Sequence, residues 1–131
     1  MRYLTLDEAM KIAESVTGID GDTLARVSRI ELLDSALHTP ASGFGDVEFY
    51  PDFFAKAAIL GIRIAMNHPL PDGNKRLAWA SVHIFHRVND FALSFTQDEV
   101  VEVMLGIASG KVEVDEFAEW LRIRATPIKT K

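Results

Sequence analysis

The stretch "NHPLPDGNKR", Asn67 to Arg76, gathers a histidine, an acid, a glycine, an amide and two adjacent cations into one short turn of chain. A solvated loop needs only some of these. A site that holds a phosphate, a metal and a proton acceptor together uses nearly all of them. The flanking sequence decides how the stretch is presented. Upstream, "PDFFAKAAILGIRIAMNH" is nearly apolar and has a helical period, which predicts a central helix. Pro51 suits its first turn. It ends near His68, because Pro69 disfavours helical geometry in the residue before it. Ala57, Gly61 and Ala65 form a row of small residues that lets another helix approach closely. Downstream, "NKRLAWASVHIFHRVND" predicts a second central helix, with Asn74 or Asp72 placed to cap it.

The rest of the chain extends this helical pattern. "TLDEAMKIAESV" opens with Thr5 and Glu8 at capping-box spacing and ends at Gly18. "DGDTLARVSRIELLDSALH" reads as a turn and one helix, stopped by Pro40. "TPASGFGDVEFYP" reads as a loop with a short extended piece at Val47–Tyr50, and loops of that length are often functional. "FALSFT" is a connector, "QDEVVEVMLGIASG" a helix closed by Gly110, and "VEVDEFAEWLRIR" a last helix with Phe117, Trp120 and Leu121 inward. Residues 125–131 read as a flexible tail after a single domain over 1–124. The expected class is all-α: a compact bundle of about six helices, no sheet, and the 67–76 loop between two central helices.

Bulk properties narrow the function classes. The chain has 131 residues, 48% hydrophobic and 25% charged, as in a soluble globular domain. Net charge is −5, whereas a general nucleic-acid binder is usually basic. There is no cysteine, which excludes disulfides and thiolate zinc sites and fits a reducing compartment. The start carries acids where a secretory signal needs an apolar run. No apolar run approaches the ~20 residues that span a membrane. The expected location is the cytoplasm.

The chemistry of the loop follows from its place. It precedes the N-terminus of a helix, where free backbone N–H groups attract anions. Gly73 lets a phosphate approach the backbone. Lys75 supplies a point charge and Arg76 a forked donor. Asp72 is a hard oxygen ligand, and Mg²⁺ usually binds through one or two carboxylates plus substrate phosphates. Histidine as a residue type titrates near working pH, so His68 suits a proton acceptor for a hydroxyl nucleophile. These parts suggest transfer of a phosphate-containing group from a nucleotide to a hydroxyl. The plainer reading makes "PDG" a turn, "NKR" a helix start and His68 a cap.

The run from His68 to Arg76 resembles the motif of the Fic/Doc superfamily, H-x-F-x-(D/E)-G-N-(G/K)-R. Lys75, where typical Fic proteins have glycine, resembles the Doc (death-on-curing) branch. "RIELLDSAL", "FGDVEFYPDFFAKAA" and "GIASGKVEVDEFAEWL" also look like that branch, so the similarity spans nearly the whole chain. The resemblance implies a toxin of a toxin–antitoxin pair: a protein kinase that moves the γ-phosphate of ATP to a threonine of elongation factor Tu. It implies His68 as general base, Asp72 as Mg²⁺ ligand, and Gly73, Asn74, Lys75 and Arg76 as phosphate binders. It also implies a Phd-type antitoxin whose disordered C-terminal segment folds into a groove on this chain. That partner would be the one that binds DNA. The alternatives are AMP transfer of the Fic type, or a weak catalyst that only binds antitoxin and helps repress a promoter.

Two positions depart from the pattern. Leu70 stands where phenylalanine is usual and should keep the anchoring role with looser packing. Leu77 stands where Doc proteins commonly have threonine. Fic proteins often carry an inhibitory helix with a Glu followed by Gly or Asn, and this chain contains no such pair. Glu48–Tyr50 resembles the Fic flap that positions target backbone, or simply closes a loop on the core. His83 and His86 lie three apart on one helix; packing fits them better than a shared metal, since no third ligand is evident. His38 suits a cap at the negative end of a helix. Trp79, Phe85, Phe117 and Trp120 read as core.

Overall fold

The computed structural model describes residues 1–128. Among these are seven α-helices: α1 (Leu6–Thr17), α2 (Gly21–Val27), α3 (Ile30–His38), α4 (Phe53–Asn67), α5 (Asn74–Val88), α6 (Gln97–Ala108) and α7 (Val114–Arg124). The expected all-α class holds. Thr5 and Glu8 form the capping box that opens α1, and Thr96 and Glu99 form another at α6. Gly18 closes α1 in the left-handed region, at φ 73°.

α4 is the central element, packed most heavily on α5 and α7. Its row of small residues explains the close approach. A Cβ added at Gly61 would lie 2.7 Å from Val82 Cγ2 on α5 and 3.1 Å from a Phe117 ring carbon on α7. Phe85, Phe117, Leu60, Ile64 and Leu121 are fully buried around it. Among the described residues no helix is long and apolar enough to cross a membrane.

Four expectations need correction. The predicted helix over "DGDTLARVSRIELLDSALH" is two helices. Ser28 is extended, and the Arg29 N–H leaves the helical ladder to donate to the Pro69 carbonyl at 2.8 Å. No glycine or proline marks that break, because its cause lies 40 residues away. Pro51 lies just outside α4, where Asp52 is the N-cap and accepts from the Ala55 N–H. Short strands also occur. β1 (Gly43–Phe44) and β2 (Val47–Glu48) form a hairpin, so the extended piece foreseen at Val47–Tyr50 has a partner strand. β3 (Phe91–Leu93) pairs antiparallel with β4 (Ala125–Pro127). Residues 125–127 are therefore paired backbone rather than a frayed tail, while 129–131 of that tail lie outside the described residues.

Candidate active site

α4 and α5 run from one to the other through residues 68–73. His68 caps α4 at φ 51° and ψ 56°, in the left-handed region. Histidine enters that region more readily than most non-glycine residues, and such positions cluster at functional sites. Its side chain is exposed. Pro69 and Leu70 turn inward; Leu70 is 4% exposed. Leucine thus keeps the anchoring role foreseen for that position.

Asn74 does not cap α5. Its amide closes a ring on Leu70: Leu70 N–H donates to Asn74 Oδ1 at 2.8 Å, and Asn74 Nδ2 donates to the Leu70 carbonyl at 2.9 Å. Asp72 does not cap the helix either. The cap is Gly73, at φ 88° and without a side-chain bond. Leu77 N–H is the first to enter the helix, on the Gly73 carbonyl at 2.9 Å. The amides of residues 74–76 therefore have no acceptor within α5 and point from its positive end. Gly73 is needed here for conformation and for space. A Cβ would lie 3.2 Å from both Arg76 Nη2 and Thr17 Cγ2.

Charge surrounds this helix end. Arg76 Nη1 donates to the Val16 carbonyl at 2.8 Å, so the guanidinium leans on the last turn of α1. Its Nη2 lies 3.9 Å from Asp72 Oδ2, a weak exposed pair. The Asp72 side chain is 98% exposed. His68, Asp72, Gly73, Asn74, Lys75 and Arg76 all line one cleft of about 340 Å³, bounded by Ala65 of α4 and Ala108 of α6. The structure thus brings the loop's candidate residues His68, Asp72, Gly73, Asn74, Lys75 and Arg76 into one cleft. Leu77 is not among them: it is fully buried in the core.

The donor set fits a nucleotide's phosphates, with amides, an ammonium and a guanidinium at one end. It also fits a divalent cation completed by those phosphates. Among the described residues no three histidine or acidic side chains converge to hold a metal by themselves, and Asp72 alone meets the usual protein share for Mg²⁺ beside phosphates.

The other sequence candidates lie elsewhere. His86 is buried against the rings of Phe53, Phe54 and Phe91, with Nδ1 2.8 Å from the Val82 carbonyl. Burial pushes its pKa down to about 4. His83 stacks on Trp79 and meets Phe95 edge-on, and burial lowers its pKa too. His38 Nδ1 lies 2.8 Å from the Asp34 carbonyl at the end of its own helix.

Two features escaped the sequence reading. Lys56 is 3% exposed, yet its ammonium donates to Glu48 Oε1 at 2.8 Å and to the Pro40 carbonyl at 3.1 Å. It ties the hairpin to α4, and nothing in "FFAKAAIL" marks the lysine as inward. The second is an apolar groove of about 210 Å³ between α5 and α6, lined by Trp79, Val100, Val101, Met104 and Leu105, with Lys75 and Arg76 at its edge. The exposed pair Val101 and Leu105, four apart on α6, was a readable signal.

Comparison with known proteins agrees with the motif. The profile of the Fic/DOC family matches residues 3–86. A protein named Toxin Doc, from Mycolicibacterium smegmatis, is 37% identical over 89 residues, which is 66% of this chain and 68% of that one. The family match runs from before α1 through the loop and most of α5, so it contains α4 and residues 68–76 of the cleft, while α6 and α7 lie beyond it. The chain belongs to the Fic/Doc family, on its Doc branch.

Proposed function

We propose that this protein is a Doc-type toxin, a kinase that transfers the γ-phosphate of ATP to a threonine hydroxyl of elongation factor Tu and so blocks translation in the cytoplasm. The family is one of transferases that act on proteins and draw on ATP, and the similarity to a protein named Toxin Doc supports the toxic role. The observation that carries the catalytic part is the shared cleft. His68, the Asp72 carboxylate and the N-terminal end of α5 line the same space.

In this reading the amides of residues 74–76, with Lys75 and Arg76, hold the phosphates and offset their charge. Asp72 would hold Mg²⁺, which when bound supplies charge neutralisation between phosphate oxygens. His68 accepts the proton of the threonine hydroxyl as its oxygen bonds to the γ-phosphorus. The bond from that phosphorus to the β–γ bridging oxygen breaks, and ADP leaves. Lys75 adds bulk and charge where glycine would let an α-phosphate settle, which favours γ-transfer over AMP transfer. The neutralising partner would be a Phd-type antitoxin. The apolar groove beside Lys75 and Arg76 supports such a partner, because an amphipathic segment with acidic residues would match it.

The test is a transfer assay with elongation factor Tu, Mg²⁺ and ATP labelled at the γ or the α phosphate, with His68→Ala as control. Label from γ alone, lost in the variant, is the expected result. Label from α would make the protein an AMP transferase. No label from either would overturn the target assignment.

A further inference from the structure

Helices that end on a left-handed residue are normally closed by N–H groups of that residue and the next, which return to carbonyls of the last turn. At the end of α4 the next residue is Pro69, which has no N–H. The bond from the next residue is therefore missing at His68, and a left-handed non-glycine residue persists only where its surroundings hold it. Two hydrogen bonds from outside the loop do so. Asn67 Nδ2 donates to the Leu32 carbonyl at 3.1 Å. The Pro69 carbonyl accepts from the Arg29 N–H at 2.8 Å. The bonded residues Asn67 and Pro69 flank His68 on either side. Arg29 is the N-cap of α3 and Leu32 lies in its first turn, so both pins reach one element. The other half of the loop is fixed separately, by Asn74 on Leu70.

We infer that Asn67 is a positioning residue for the His68 imidazole, with the start of α3 as its fixed support. This rests on the reading of His68 as the general base. The break between α2 and α3 then has a purpose: it frees the Arg29 N–H to donate to the Pro69 carbonyl beside His68. A base must sit within hydrogen-bond reach of the proton it takes, so a loosened His68 lowers turnover. Phosphate binding, held by its own bonds, is unaffected.

Asn67→Asp tests this, since it keeps the size but turns an acceptor toward the Leu32 carbonyl. Asn67→Gln keeps the amide on a longer arm. The readouts are kcat and the KM for ATP in γ-label transfer, and the NMR signals of the His68 ring, assigned by their loss in His68→Ala. The expected result is a fall in kcat of at least tenfold for Asn67→Asp, a KM for ATP within twofold of the parent, shifted His68 ring signals, and partial recovery in Asn67→Gln. Parent-like kcat with unshifted ring signals would overturn the inference. So would a KM for ATP that rises in step with the loss of kcat. If Asn67→Asp fails to fold, Asn67→Ala carries the same readouts. If the parent transfers no label, the kinase reading fails, and the ring signals alone decide whether Asn67 positions His68.

Discussion

The loop 67–76 and the hairpin 43–48 are joined by the same helix, α4, and are held in contrasting ways. The loop has two bonds to the start of α3, two more across its own neck from Asn74 to Leu70, and an apolar anchor in the core. The hairpin has strands of two residues each, all exposed, with Phe44 83% exposed. What ties it to α4 is the Lys56 ammonium on Glu48. Chemistry at a single proton demands a group aimed to a fraction of an ångström, and hydrogen bonds concentrate there. A surface that meets a partner can tolerate a softer mount. The difference teaches that order in this fold follows tertiary hydrogen bonds rather than secondary structure: the irregular loop is pinned at several points and the paired strands by one side-chain tie.

The sharpest way to break the comparison is His68→Ala. If the loop is ordered for catalysis, transfer should fall by about 10²–10⁴-fold, the usual span for a lost general base, with the melting temperature nearly unchanged because the ring is exposed. Acid probes the other end of α4. His86 sits against Phe53 and Phe54 with its pKa pushed from 6.5 to about 4 by burial. The unfolded chain therefore binds a proton that the folded chain refuses. Stability from this group is complete above pH 6.5 and is lost as pH falls toward 4, by about 3 kcal/mol in total. Urea titrations across that range should show the slope, and His86→Phe should flatten it.

Smaller effects refine the contrast. Asn74→Ala removes both bonds to Leu70 and should lower stability by about 1–3 kcal/mol in urea unfolding, with weaker ATP binding by calorimetry. Lys56→Met should move global stability by no more than about 1 kcal/mol, since an apolar side chain of similar length replaces a buried charge. Amides of residues 43–48 should nonetheless exchange faster by hydrogen-exchange mass spectrometry. If they do not, the hairpin is held by more than its one side-chain tie.

Local rules made much of this structure readable. The capping box at Thr5 and Glu8, the terminator Gly18, Pro69 after His68, and the small residues of α4 all act within a turn or between regular helices. The unread parts depend on distant partners. Arg29 leaves its helix for Pro69, Asn74 prefers Leu70 to the helix end, and Lys56 turns inward because Glu48 and the Pro40 carbonyl receive it. At the cleft, residue types and spacing were legible because one short loop carries nearly all of them. The support from α3 was not, since no periodicity links Asn67 to Leu32.

The turn after α5 has a topological consequence. Asn89 exchanges two hydrogen bonds with the backbone of Arg2, and Asp90 accepts from the Ile128 N–H. Positions 2 and 128 therefore meet at one knot of polar contacts, and the chain between them is closed like a ring. Peeling from either side must undo those bonds. α5 separates it from the cleft by about 22 Å at the usual helical rise, which leaves room for a short peptide bridge from 128 to 2 without touching His68.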